Sequence, residues 1–125
     1  MASYKHVDVD HLNLMADGSV DFIEDLVLMF LKQSPVFTVQ LEELCANGEN
    51  VSLAKLAHRV KGSASMIGIG GLAKLMKTIE SKSISGASTE ELLAIIKQSQ
   101  SVVAEATEEL KRILNDFKTN SYDKY

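Results

Sequence analysis

Two amphipathic helices separated by a glycine cluster are visible in residues 51–82, VSLAKLAHRVKGSASMIGIGGLAKLMKTIESK. In the first half, apolar residues recur three or four positions apart, which is the spacing of one helical face. They are Leu53, Leu56, Ala57, Val60, Ala64 and Ile67. The cluster Gly68-Ile69-Gly70-Gly71 predicts a tight turn, and a second periodic segment runs from Leu72 to about Lys82. The pattern therefore predicts a helical hairpin.

Helical periodicity also precedes this hairpin. It begins at Asp21 and ends before Asn47-Gly48-Glu49-Asn50, because Asn and Gly commonly follow the last residue of a helix. Pro35 lies inside this segment and leaves two alternatives. Ser34-Pro35 can open a separate helix, or the proline can kink one long helix.

The last helix is predicted after a short loop over residues 83–87. Ser88 and Glu91 have the spacing of a capping box, which satisfies free backbone N–H groups of the first helical turn. The apolar stripe that follows, from Leu92 to Phe117, is typical of one long amphipathic helix. Residues 119–125 are predicted to form a flexible tail.

These elements predict an all-α fold, an antiparallel four-helix bundle with a short N-terminal capping helix. A chain of 125 residues with 46% hydrophobic and 24% charged residues suits one globular domain. We expect residues 1–18 to form an arm with a short helix from about Asp10 to Met15. Residues 19–118 would form the bundle.

Composition excludes several classes of function. The net charge is −4 and the 13 basic residues are scattered, so no nucleic-acid partner is expected. Cys45 is the single cysteine, which excludes an internal disulfide and suits a buried position in a reducing compartment. There is no signal-peptide pattern and no apolar run of about 18 residues. We therefore expect a cytoplasmic protein without a membrane partner.

His58 lies on a flank of its helix. At about 100° per residue it is roughly 140° from the centre of the apolar face. Its neighbours on this flank are Ala54, Lys61, Gly62 and Ser65. An exposed histidine is largely neutral near pH 7 and offers a nitrogen lone pair as a nucleophile. Lys61 can hold phosphoryl oxygens, and Gly62 leaves room for a partner's backbone.

The residues around His58 carry a motif. It consists of AHRVKGSA at residues 57–64, Ile67-Gly68, Leu72, Met76 and Glu80. The motif resembles the signature of histidine phosphotransfer (HPt) domains of two-component phosphorelays. That family consists of four-helix bundles whose histidine exchanges a phosphoryl group with the aspartate of a receiver domain. The resemblance implies this role for His58, with receiver domains of response regulators or hybrid histidine kinases as partners. Many members have Cys in place of Met76, a departure expected to affect packing only.

Glu80 is predicted to face His58. If the hairpin pivots near Ile69, the two residues lie equally far from the pivot and at the same height. Similar proteins often place Gln or Glu there, bonded to the histidine ring. We predict that the Glu80 carboxylate accepts a hydrogen bond from Nδ1–H of His58 and leaves Nε2 to accept the phosphoryl group. The alternative is a solvated glutamate.

The leading hypothesis is a phosphoryl carrier without its own turnover. No GxxxxGK[ST] phosphate loop is present, so a partner must supply the phosphoryl group, and no cofactor is expected. The alternative is a helical adaptor that is never phosphorylated. The initiator Met favours a free-standing protein, and a monomer is expected.

Three other groups of residues have simpler interpretations than a functional site. His6, Asp8, Asp10 and His11 can be read as metal ligands, but alternating residues in a terminal arm are more often solvated, and no metal is expected. The charged residues between positions 105 and 112 are predicted to be a solvated helix face. Five large side chains are assigned to the core by default, and those near the exposed end of the second helix are also candidates for an apolar docking patch beside His58. They are Met29, Phe30, Phe37, Met66 and Met76.

Overall fold

Five α-helices make up the computed structural model, which describes residues 4–123 and contains no strand in that range. The helices are α1 (Val9–Met15), α2 (Val20–Ala46), α3 (Asn50–Ile67), α4 (Gly70–Ser85) and α5 (Thr89–Asp123). Helices α2 to α5 contact one another in chain order, and α5 returns to α2, which closes a four-helix bundle. Their short connections make sequential helices antiparallel. The predicted all-α bundle with a short N-terminal helix is confirmed.

Side-chain caps set where two of the long helices begin. The Oγ atom of Ser19 accepts a hydrogen bond from the Phe22 N–H at 3.2 Å, and Ser88 does the same for the Glu91 N–H at 3.1 Å. Each bond satisfies one of the N–H groups that lack a partner in the first turn. The Glu91 carboxylate lies 3.4 Å from Lys82 Nζ, so it contributes an ion pair between α4 and α5.

Two turns are shorter than the sequence predicts. Gly68 ends α3 and Gly86 ends α4, each in the left-handed region with φ of 87° and 85°. Helix α4 already begins at Gly70, so the turn does not extend through residue 71. It continues to Ser85, so the loop predicted over residues 83–87 is wrong in its first three residues. Glycine and serine weaken a helix by about 1 kcal/mol or less per residue, which packing overcomes.

Helix α2 passes through Pro35 without interruption. Of the two alternatives, one continuous helix is therefore the one observed. Proline has no N–H for the carbonyl four residues earlier, but Pro35 is exposed, so its ring meets solvent rather than a packed neighbour. The Thr38 hydroxyl donates to the Ser34 carbonyl at 2.8 Å and supports the turn that contains the proline.

The core lies between the four long helices. All six apolar residues of the predicted α3 face are at most 6% exposed, as expected. Phe30, Phe37 and Met76 are also buried, whereas Met29 and Met66 are exposed at 55% and 48%. These two methionines were assigned to the core by default, and for them that assignment is wrong.

Cys45 is 1% exposed, at the end of α2. Burial raises the pKa of its thiol, so little reactive thiolate is available at neutral pH. The predicted role of this cysteine as an apolar filler agrees with its position.

The N-terminal residues 4–8, which we call the strap, are packed onto the bundle. Val7 is 4% exposed and belongs to the core, as do Leu12 and Ala16 of the short helix region. One carboxylate oxygen of Glu109 accepts hydrogen bonds from the N–H groups of His6 and Val7, both at 3.0 Å.

Two predictions fail because of this packing. His6 was grouped with arm residues expected to be solvated, but its side chain is 12% exposed. The charged residues between positions 105 and 112 are not all solvated either, since Glu109 is only 4% exposed. Further contacts extend the attachment along α5: the Tyr4 hydroxyl donates to Asp116 at 3.2 Å, and Arg112 lies over the Tyr4 ring. A charged pattern on a helix cannot reveal that a distant segment will cover it.

The end of the chain continues as helix. Helix α5 runs through Asp123, which includes most of the segment 119–125 predicted to be a tail, while residues 124 and 125 lie outside the described part. None of the helices within residues 4–123 has the length and apolar character needed to cross a membrane.

Candidate functional site

His58 projects from the outer surface of α3. Its neighbours Ala57 and Val60 are at most 4% exposed and anchor the opposite face of the helix in the core. Helical geometry then turns residue 58 outward, and its side chain is 64% exposed. The structure therefore places this imidazole where a macromolecular partner can reach it.

Glu80 on α4 meets the histidine ring. Its Oε2 atom lies 3.0 Å from Nδ1 of His58. A carboxylate can only accept a hydrogen bond, so this contact requires the proton on Nδ1. Within residues 4–123, Nε2 has no hydrogen-bond partner. In the neutral ring, Nε2 then carries the lone pair and can act as a nucleophile.

The turn between α3 and α4 sets the register of this pair. The Asp8 N–H donates to the Gly68 carbonyl at 2.8 Å, and the Ile69 N–H donates to the Ala64 carbonyl at 2.8 Å. Gly68 is required twice over, because its φ is 87° and an added Cβ would lie 2.9 Å from the Asp8 carbonyl oxygen. The strap is therefore bonded to the turn that joins α3 to α4.

Lys61 shares the same carboxylate. Its Nζ atom lies 3.4 Å from Oε1 of Glu80, and both side chains are partly buried at 30% and 25% exposure. One glutamate thus joins the two residues singled out on α3. From the sequence, Lys61 was expected to hold phosphoryl oxygens, and its ion pair with Glu80 was not predicted, although residues 58 and 61 share one helix flank.

Gly62 leaves open space beside the histidine. It is exposed, and an added Cβ would meet no atom of the described residues within 4 Å. Nothing inside the bundle therefore requires a glycine here. Ser65 is exposed on the same flank, but Ala54 is only 6% exposed and does not belong to the accessible surface.

An apolar patch lies on the other side of α3. It consists of Leu28, Met29 and Val36 on α2, which are between 51% and 56% exposed. They line an open groove between α2 and α3 whose other wall includes Arg59 and Ser63. Arg59 directly follows His58, so the groove and the imidazole occupy adjacent parts of the surface.

The other two histidines have different surroundings. The His6 side chain is 12% exposed, and its Nε2 lies 3.1 Å from Glu105. The hydrogen bond with His6 and the nearby Lys5 ammonium lower the pKa of the Glu105 carboxyl. His11 has its Nε2 buried without a hydrogen-bond partner. Within the described residues, no three His, Cys, Asp or Glu side chains are arranged to hold a metal ion.

Acidic residues are nearly absent from one helix pair, which gives that pair a net positive charge although the basic residues are spread over the chain. Residues 50–85, which form α3 and α4, contain six basic side chains and one acidic side chain, Glu80. The rest of the chain contains seven basic and sixteen acidic side chains. With neutral histidines, this hairpin carries +5 and the remainder −9. A count for each helix pair, rather than for the whole chain, would have found this asymmetry.

Comparison with protein families gives a match over most of the chain. The profile described as the Hpt domain matches residues 25–119, which include His58, Lys61, Gly62 and Glu80. A search of curated proteins found no significant match.

Proposed function

Because the chain belongs to the HPt domain family, a family of phosphocarrier modules in two-component systems, we propose that it carries a phosphoryl group on Nε2 of His58. One observation supports this choice of atom above all others. The imidazole is 64% exposed, with Nδ1 bonded to Glu80 and Nε2 without a partner in the described residues. A ring held at one nitrogen and open at the other is oriented for nucleophilic attack.

The proposed step transfers a phosphoryl group from an aspartate oxygen of the partner to Nε2 of His58. The Nε2 lone pair attacks the phosphorus of an aspartyl phosphate on a receiver domain, an N–P bond forms, and the P–O bond to the aspartate breaks. The aspartate leaves as a carboxylate, and the proton on Nδ1 stays in its hydrogen bond with Glu80. The ring becomes cationic beside that carboxylate, which stabilises the phosphorylated state. In the reverse step, a receiver carboxylate attacks the same phosphorus.

Lys61 and Gly62 have supporting roles in this proposal. Phosphoryl transfer depends mainly on positioning and on compensation of negative charge. The Lys61 ammonium lies one helical turn from His58 and is 30% exposed, and in this proposal it turns from Glu80 towards the phosphoryl oxygens. The open space over Gly62 admits the receiver's backbone.

The partners are receiver domains of response regulators or hybrid histidine kinases. The apolar patch of Leu28, Met29 and Val36 supplies a small hydrophobic centre of the kind found in transient interfaces, in a groove that reaches Arg59, the residue after His58. The phosphoryl group comes from such a partner rather than from a kinase site of this chain. We further propose that the carrier acts as a monomer in the cytoplasm.

Labelling by a phosphorylated receiver tests the proposal. A panel of receiver domains, charged with radiolabelled acetyl phosphate, should transfer an acid-labile and base-stable label to the parent protein. His58→Gln should remove the label while the helical circular dichroism signal stays unchanged. His6→Gln is the matched control and should be labelled like the parent.

Two results would contradict the proposal. Label retained by His58→Gln would place the phosphoryl group elsewhere. Receivers that bind the parent protein without transferring label would favour the alternative function, an adaptor bundle that is never phosphorylated.

A further inference from the structure

The helix pair with the net positive charge is the one that carries the candidate site. Four cationic side chains of α3 and α4 are exposed and form no ion pair within residues 4–123. They are Lys55, Arg59, Lys74 and Lys77. The other two cations of the hairpin are paired with Glu80 and Glu91. The exposed charge of the hairpin is therefore almost entirely positive.

Three of these cations lie within one helical turn of His58 or of Glu80 along their own helices. Lys55 precedes His58 by three residues and Arg59 follows it directly, so both lie within one helical turn of it on the outer surface of α3. Lys77 precedes Glu80 by three residues, which places it one turn away on the same side of α4.

The remaining surface has the opposite sign. Outside residues 50–85 the chain carries −9. A negatively charged partner is attracted to the hairpin and repelled by the other faces, so the field of the whole molecule orients an encounter. Such fields change association rates strongly and are weakened by salt.

We propose that the α3–α4 hairpin captures its partner electrostatically, and that this partner is a receiver domain with an acidic surface around its phosphorylated aspartate. The proposal rests on the proposed function for the identity of the partner. An acidic partner is inferred because the hairpin is positively charged and the rest of the protein is negatively charged. Lys55, Arg59 and Lys77 then determine how fast and in which orientation a receiver arrives, without contributing to the chemical step.

Association kinetics with the His58→Gln protein test this inference without requiring phosphoryl transfer. A receiver that binds the protein is labelled with a fluorophore, and its association rate constant is measured by stopped flow. Reversing Lys55 and Lys77 to Glu should lower that constant about tenfold at low salt. The control variant Lys97→Glu with Lys111→Glu changes the net charge of the protein by the same amount, but on α5. It should change the association rate constant less than about twofold. Raising NaCl from about 0.05 to 0.5 M should remove most of the difference.

Several outcomes would overturn the inference. Equal effects of the two charge reversals would show that net charge, and not the hairpin, matters. An association rate independent of salt would show that steering is absent. Equally tight binding of anionic lipid vesicles or duplex DNA would identify a different class of anionic partner. If steering is observed but the parent protein accepts no label, the proposed function fails and the electrostatic surface stands.

Discussion

His58 and His6 each bond a glutamate on a neighbouring helix, yet their surroundings suit opposite purposes. His58 uses Nδ1 for Glu80 and is 64% exposed, whereas His6 uses Nε2 for Glu105 and is 12% exposed. The first ring has a free nitrogen at the surface. The second lies in the strap, where its backbone N–H is also bonded to Glu109.

The difference shows that a histidine–carboxylate pair is not by itself a reactive site. The nitrogen that remains unbonded and the access to it decide whether the ring can act as a nucleophile. At the hairpin, the pair leaves Nε2 open beside Gly62. At the strap, the pair belongs to a network that fixes the N-terminal residues to α5. Variants at Gly62, Glu109 and Glu80 test this division between chemistry and stability.

Closing the open space at the hairpin should have the largest effect. Gly62→Gln places a long side chain where a receiver must approach and should slow phosphoryl transfer roughly 10²-fold through misplacement of the reacting groups. Stability should not fall, since Gln favours an exposed helical position over Gly by about 0.5–1 kcal/mol. Rapid-quench measurements of transfer would give the rate.

Gly71→Gln is the control for this change. Gly71 is also helical and exposed, with no described atom within 4 Å of an added Cβ, but it lies at the start of α4. Its transfer rate should equal that of the parent. A Gly62→Gln protein that also transfers at the parent rate would show that the glycine has no role in docking.

Removing the carboxylate beneath the strap should reduce stability without touching the chemistry. Glu109→Ala leaves the N–H groups of His6 and Val7 without their acceptor in a buried site, at a cost of about 1–3 kcal/mol in unfolding free energy. Urea denaturation would measure the loss. Glu108→Ala removes an exposed carboxylate from the preceding position and should lower the free energy of unfolding only slightly. Slower phosphoryl transfer in folded Glu109→Ala protein would show that the strap also contributes to the chemistry at His58.

Changing Glu80 should produce the smallest effect of the three. Glu80→Ala removes a hydrogen bond to a charged group, worth about 1.5 kcal/mol, and should slow transfer about tenfold. Nitrogen NMR of the His58 ring should show the loss of the preference for a proton on Nδ1. Glu80→Gln keeps an acceptor oxygen and should preserve most of that preference. An unchanged tautomer ratio in Glu80→Ala would show that the glutamate does not orient the ring.

Local sequence patterns predicted most of the fold. The six apolar residues of α3 predicted its buried face, and the spacing about Ile69 brought Glu80 to the height of His58. Local sequence patterns gave the wrong ends of α4, at Gly70 and at residues 83–85, because packing extends the helix beyond the limits that composition suggested. Helix boundaries depend on tertiary contacts that no window of neighbouring residues contains.

The failures of prediction have a common physical origin. The burial of Glu109 and the attachment of the strap come from residues about 100 positions apart in sequence. The ion pair of Lys61 with Glu80 depends on how two helix flanks meet, which periodicity does not specify. The electrostatic surface was missed because charges were counted along the chain, whereas the bundle places α3 and α4 side by side.

The strap has a consequence for fragments of this protein. The family match covers residues 25–119, but Val7 and Leu12 contribute to the core, and Asp8 bonds the turn at Gly68. A fragment cut to the family boundaries would lose these contacts and expose the apolar surface beneath them. The smallest excised unit that keeps the native packing therefore starts at the strap, ahead of the first residue that the family comparison marks.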